Sequence, residues 1–347
     1  MKSPLRRTAS WTPTLGLALL LLPCSLSARA LLLKRYEFSL PRMGTMFRIE
    51  FYTTDDATAS KAADAAFARA EELEQIMSNY REDSELQRLA RPGASAPMPI
   101  SSDLYEVLAM SIRTSELSHG AFDVTVGPLV ELWRKARTTH QMPSPSELSR
   151  AKALVDYRNI ELDPARHTAF LKRPGMKLDL GAIGKGYAAD QMLALLQSRG
   201  IHRAIVEAGG EVVVGAPPPG KAAWSVAIDT ADTGPGHPPC RLFLHDAAVS
   251  TSGDSHQFVE VNGRRFSHVI DPATGMGLEG ASSTTVIAPN SATADAMATA
   301  LSIMPVADGI RVAESVPGVA ALWVRQAGGQ WERYASRGFP AACRGAR

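Results

Sequence analysis

The 347-residue sequence predicts an α+β fold of mixed, largely antiparallel sheets flanked by helices. Three observations carry this. Apolar positions recur at helical spacing at Ala62, Ala65, Ala66, Ala70, Leu73, Ile76 and Met77. Strand-like segments crowd together downstream of residue 177 instead of alternating regularly with helices. Between two of them stands Asn262-Gly263, the strongest short hairpin signal, because a type I′ turn needs positive φ at both central residues.

In chain order, residues 46–52 alternate as a strand that feeds the first helix. A Pro/Ala/Gly stretch over 91–99 reads as a loop. Leu104, Val107, Leu108, Ser111 and Ile112 mark a second helix starting near Asp103, with Glu106 as the far member of a capping box. Residues 138–146, rich in Pro and Ser, read as a linker. Strands follow at 177–180, 204–207, 212–215, 224–228, 258–261 and 266–270. Helices are predicted at 186–199, ended by Gly200, and at 293–304, ended by Pro305. No internal repeat is present.

With 45% hydrophobic and 21% charged residues, the composition excludes disorder, collagen and coiled coil. Net charge is +2, but Lys2, Arg6, Arg7 and Arg29 lie in the first 30 residues with no acid, which leaves 33 basic against 35 acidic residues in the rest. The body therefore lacks the basic stripe that nucleic-acid binding requires, and no nucleic-acid partner is expected. The positive start, the apolar run 15–28 and the triplet Ala28-Arg29-Ala30 read as an export signal over 1–30. Cys24, in Leu21-Leu22-Pro23-Cys24, offers a weaker, lipoprotein-like route to membrane attachment. After cleavage only Cys240 and Cys343 remain, too few for a zinc site, with a single bridge left open.

Four segments have residues suited to chemistry. Asp179-Leu180-Gly181-Ala182-Ile183-Gly184-Lys185-Gly186 is a strand end, a glycine-spaced turn and a helix start, a combination that offers backbone N–H groups and the Lys185 charge to an anion. A glycine-rich turn with a solvated lysine is the plainer account. Asp295 and Thr299, four apart, share one helix face and supply hard oxygen ligands suited to Mg²⁺, although an acid near a helix N-terminus is also a common surface feature. His268, in Ser267-His268-Val269-Ile270-Asp271-Pro272, has the residue type of a general base near neutral pH or of a structural turn partner, and His256 competes with it. Upstream, Ser250-Thr251-Ser252-Gly253-Asp254 reads as another tight loop that supplies hydroxyls and backbone donors. Finally, Tyr80 and the Ala121-Phe122-Asp123 segment could meet an aromatic or amide-bearing ring, while core packing explains Phe122 equally well.

Taken in this order, the blocks resemble the ApbE family of FAD:protein FMN transferases. The resemblance runs from Met43-Gly44-Thr45 through Met77-Ser78-Asn79-Tyr80, Gly120 to Asp123, Asp179 to Lys185, Glu207-Ala208-Gly209-Gly210, Ser252-Gly253-Asp254 and His268 to Gly275, to Ala294 to Thr299. It implies one flavin-transferase domain over 31–335 with two fused lobes and a cleft between them, and a tail over 336–347. It further implies that FAD is the substrate and Mg²⁺ the cofactor, with Asp295 and Thr299 as side-chain ligands and Ala182 and Ala298 as backbone ligands. Met43, Tyr80, Ala121, Phe122, Asp123, Asp179, Lys185 and Ile270 would line the FAD site. His268 would deprotonate an acceptor threonine, and Lys185 would stabilise phosphate charge. The implied partner is an acceptor protein, such as an exported or membrane electron-transport subunit, and the implied location is the periplasm or the periplasmic face of the inner membrane. One departure stands out: the family often continues Leu-Trp into Gly-Phe-Gly, whereas here Leu132-Trp133 is followed by Arg134-Lys135-Ala136. Family members also include proteins that bind FAD or hydrolyse it to FMN and AMP, so both remain alternative activities.

Overall fold

Along the central strands, neighbouring apolar residues point to opposite sides, and both sides are buried. Ala248, Ala321 and Trp323 enter one core, while Val249, Leu322 and Val324 enter a second core across the sheet. This is the period-2 geometry of a strand covered on both faces, and it gives near-continuous apolar runs rather than alternation with polar residues. The computed structural model describes residues 32–344 except 92, 94, 95, 235–237, 254–257 and 262. The predicted export signal, Cys24, Asp254 and His256 lie outside the described residues.

The main sheet has eight strands, ordered Lys34–Arg42, Thr45–Thr53, Ala204–Ala208, Glu211–Val214, Ala247–Gly253, Ser282–Ala288, Ala320–Ala327 and Gln330–Ala335. Every neighbouring pair is antiparallel, as the sequence predicts. The first core lies between this sheet and the helices Asp56–Met77, Ser102–Leu117, Gly184–Ser198 and Ser291–Ile303. Small residues make that packing close: Ala59, Ala62, Ala63, Ala66 and Ala70 form the buried face of the first helix, which lies against Gly184–Ser198. Larger side chains such as Phe47, Ile49, Phe51 and Leu73 fill the remaining volume with no exposure, each contributing roughly 1.5–3 kcal/mol by burial.

The second core is covered by the two-stranded ribbon of Trp224–Ile228 with Cys240–Leu244 and by the segment after Ala335. That segment, set apart in the sequence reading as a tail, packs inward through Phe339 and Cys343, and a disulfide joins Cys343 to Cys240. A third cluster holds a smaller body together. There Trp133, on the helix Gly127–Thr139, packs 5.3 Å from Phe266, on the strand Arg264–Ile270, and donates through Nε1 to the Gly275 carbonyl at 2.8 Å. The functional cleft lies between this body and the main sheet.

Several local expectations are corrected. The Asp103/Glu106 capping box does not form. Ser101 is the N-cap, its hydroxyl accepting from Leu104 N at 3.2 Å, while Asp103 and Glu106 both accept from the Tyr187 hydroxyl. Residues 177–180 are not a strand; only Lys177 bridges to Val126. The linker shrinks to 140–144, because a helix runs to Thr139 and Ser144 and Glu147 form a capping box on the helix Pro145–Lys152. Within the loop at 91–99, Met98–Pro99 forms a short strand paired with Ala169 and Thr168. The strands of the predicted hairpin pair as expected, Val261 with Arg264, while Asn262 of the predicted turn lies outside the described residues.

Candidate functional site

Two helix starts meet at the cleft floor. The helix Gly184–Ser198 has no side-chain cap, which leaves its first N–H groups available. One of them, Gly186 N, donates to Asp295 Oδ2 at 3.2 Å. Such closeness requires glycine: a Cβ at position 186 would lie 2.9 Å from Ala292 Cα and nearer still to the Ser291 carbonyl. The helix Ser291–Ile303 is fixed in turn by Asn290, which accepts from Thr293 N at 2.9 Å, and by Asp190, which accepts from Ser291 N at 2.7 Å and Ala292 N at 2.8 Å. One turn beyond Asp295, Thr299 shares a 3.0 Å hydrogen bond with the Ser252 hydroxyl.

Lys185 stands between these groups. Its Nζ donates to the Gly181 carbonyl at 2.8 Å and lies 3.3 Å from Glu211 Oε1 and 3.9 Å from Asp295 Oδ2. Burial pulls the ammonium pKa down, but the charges of Asp295 and Glu211 outweigh it and hold the value above that of an ordinary lysine. Asp295, 3% exposed, is also shifted upward, but by burial itself, which raises its carboxyl well above the usual range, with Lys185 countering only in part. Glu211, absent from the sequence-derived set, contributes a second buried carboxylate whose Oε2 has no hydrogen-bond partner among the described residues. Its signal was available: an acid directly after Gly209-Gly210 occupies a strand position followed only by Val212, Val213 and Val214.

One cavity of about 560 Å³ connects these residues with the opposite wall. Tyr80, Ala121, Phe122, Asp123, Asp179, Ala182, Lys185, His268, Ile270, Asp295 and Thr299 all line it. On that wall, Arg134 lies over the Tyr80 ring, 4.4 Å from its centroid, and pairs with Asp179 Oδ2 at 3.0 Å. Asp179 also accepts from Asn79 Nδ2 at 2.6 Å and from Gly181 N at 2.8 Å, and so ties the wall to the turn that presents Lys185. His268 is exposed on the strand Arg264–Ile270 and faces the same space.

Three expected residues sit differently. Met43 lies outside the cleft lining, at the turn joining the first two strands, where its N–H donates to Glu74 at 2.9 Å. Its link to the site is indirect, through Thr45, which packs on cleft-lining Gly209. Ala298 is wholly buried and does not line the cleft; of its helix, Asp295, Thr299 and Ile303 do. Asp123 reaches the cleft, but one oxygen accepts from both Thr125 groups and the other from Tyr157 N, and its role in the observed structure is to fix the loop. Burial raises its carboxyl pKa against these hydrogen bonds.

Among the described residues, no cluster of three or more His, Cys, Asp or Glu side chains could hold a metal ion. A cation here would need the Asp295 carboxylate and Thr299 hydroxyl together with backbone, water or phosphate oxygens. That is the hard-oxygen, partly hydrated donor set Mg²⁺ takes, and the orphaned Glu211 oxygen adds negative charge beside it; these residues fit the ion.

Comparison with known proteins gives a consistent answer. A family model described as the ApbE family matches residues 43–323. The FAD:protein FMN transferase of Vibrio cholerae serotype O1 is 32% identical over 334 residues, covering 95% of this chain and 98% of the relative. That of Treponema pallidum is 33% identical over 298 residues, covering 81% and 82%. Among solved structures, the flavin transferase ApbE from Vibrio cholerae aligns with a TM-score of 0.79 at 31% identity, covering 88% of this chain and 98% of that one. The ApbE protein from Thermotoga maritima aligns with a TM-score of 0.77 at 30% identity, covering 88% and 97%.

Proposed function

Because the chain belongs to the ApbE family, we propose that it transfers the FMN moiety of FAD onto a threonine hydroxyl of an acceptor protein, releasing AMP. The observation that carries this reading is the convergence of Asp295, Thr299, Lys185 and His268 on one cleft. Each residue type suits phosphoryl transfer, which demands positioning and charge neutralisation more than covalent help from the protein.

In this reading Asp295 and Thr299 would hold Mg²⁺, with the Ala182 carbonyl available as a further ligand. Bound there, the ion would neutralise diphosphate charge as a Lewis acid. Lys185, already oriented by Gly181 and Glu211, places its ammonium against the phosphate oxygens. Tyr80 and Arg134 form the wall on which a planar ring rests. His268 accepts the threonine Oγ proton at a ring nitrogen. The Oγ–P bond to the FMN phosphate forms as the bridging P–O bond breaks, and AMP departs with the electron pair. The enzyme acts outside the cytoplasm after export, on an acceptor that belongs to an electron-transport complex.

Mass spectrometry after incubation with FAD and Mg²⁺, with and without a threonine-bearing acceptor, tests this. An acceptor mass gain equal to FMN is the expected outcome. Free FMN and AMP formed at equal rate with or without acceptor would establish hydrolysis instead, and unchanged FAD would mean binding alone.

A further inference from the structure

Glu211 opens the strand Glu211–Val214 directly after the Gly209-Gly210 turn, and its side chain is only 8% exposed. Its two oxygens have different surroundings. Oε1 faces Lys185 at 3.3 Å, whereas Oε2 is buried without a partner among the described residues although the residue lines the cleft. A buried carboxylate oxygen with no donor is unfavourable unless something bound in the cleft supplies one.

The local charge count points the same way. Lys185 is shared by two buried carboxylates, Glu211 and Asp295, while Asp179 is already paired with Arg134. The floor therefore brings two buried carboxyl groups to one lysine, and among the described residues one acceptor oxygen is unmet. A hydrated divalent cation answers both, because it brings positive charge and its retained waters are strong donors.

We propose that Glu211 is a positioning residue of the cation site: Oε2 accepts a hydrogen bond from a water bound to the divalent ion at Asp295 and Thr299, while Oε1 keeps Lys185 directed into the cleft. This rests on the Mg²⁺-dependent reading above. It assigns work to a residue outside the ligand set carried over from the family resemblance.

The test is Mn²⁺ binding, followed by the electron paramagnetic resonance signal of free Mn²⁺, in the full-length protein saturated with FAD. Glu211→Gln removes the charge while keeping the shape. It should weaken Mn²⁺ binding about 10- to 100-fold, the range for losing an outer-shell partner, and leave FAD affinity in EDTA within about twofold. In Mg²⁺ titrations of turnover it should raise the half-saturating Mg²⁺ concentration while kcat at saturating Mg²⁺ changes much less. A purely structural role would lower kcat without moving the Mg²⁺ dependence. Mn²⁺ affinity of Glu211→Gln within twofold of wild type overturns the proposal. If that variant does not fold, Glu211→Asp replaces it under the same criteria. Wild-type protein that binds FAD but no Mn²⁺ would overturn the metal-dependent reading itself; wild-type binding lost in Asp295→Ala but kept in Glu211→Gln would overturn only this assignment.

Discussion

Asp190 Oδ1 accepts the backbone N–H of Ser291 at 2.7 Å, so a carboxylate on one helix holds the first turn of the helix that carries Asp295 and Thr299. The cost of that arrangement is visible in its ionisation. Burial pushes the Asp190 carboxyl up to about 6, against the two N–H groups that favour its charged form.

The sign of the pH dependence follows. The folded state binds this proton more tightly than the unfolded chain, so the contribution is fully present below the ordinary aspartate value of about 4 and is lost as pH rises to about 6 and beyond. The shift corresponds to on the order of 3 kcal/mol. Asp190→Asn should flatten this part of the stability profile. Denaturant unfolding of both proteins at pH 4.5, 5.5 and 7 measures it, and parallel curves would refute the assignment.

Removing the imidazole in His268→Ala should lower transfer about 10²- to 10⁴-fold, the usual range for a general base. FAD affinity should stay near wild type, because the residue lies exposed on the cleft wall opposite the Asp295 floor. Single-turnover flavinylation and flavin-fluorescence titration read the two effects separately. Wild-type turnover in this variant would rule His268 out as the base.

Gly186→Ala inserts a methyl group against the Ser291 carbonyl and 2.9 Å from Ala292 Cα, where backbone cannot yield cheaply. The two helix starts must separate, at a stability cost of about 1–3 kcal/mol. Since Gly186 N also donates to Asp295, the Mg²⁺ requirement should rise together with the fall in melting temperature. An unchanged Mg²⁺ requirement would show that the interhelical fit does not set the cation site.

Arg134→Ala removes both the cover on Tyr80 and one partner of Asp179. That cation–π contact, worth about 0.5–1 kcal/mol at a partly exposed site, joins two protein groups, so its loss should lower the melting temperature slightly and free the Tyr80 ring. FAD binding should weaken about two- to fivefold, because binding must then order that ring. Isothermal titration with FAD in EDTA gives the number, and equal affinity would remove Arg134 from the ring-binding wall.

Much of this site was readable from residue order because chemistry constrains it locally. Asp295 and Thr299 are one helical turn apart, and the glycine-spaced turn before Lys185 is contiguous, so short-range geometry was enough to pair them. Glu211 escaped notice because its partner Lys185 is distant in sequence and only the packing of the helix Gly184–Ser198 on the strand Glu211–Val214 brings the two together. Met43 lies off the cleft lining for a related reason: its position depends on a hairpin turn contacting Glu74, not on its own residue type. Strands such as Ala247–Gly253 and Ala320–Ala327 were missed because a strand buried on both faces loses the polar alternation that marks a half-exposed one. Asp103 was taken for a helix start because it precedes Glu106 by three residues, but tertiary contacts to Tyr187 claim both acids and leave the cap to Ser101.

The bond between Cys240 and Cys343 spans 103 residues and lies with the core on the sheet face away from the helices that carry Lys185 and Asp295. Reduction of that bond would release the end of the chain from the strand Cys240–Leu244, whose partner Trp224–Ile228 reaches the cleft through Val226 and Ile228, so one covalent link ties the last residues to the cleft wall.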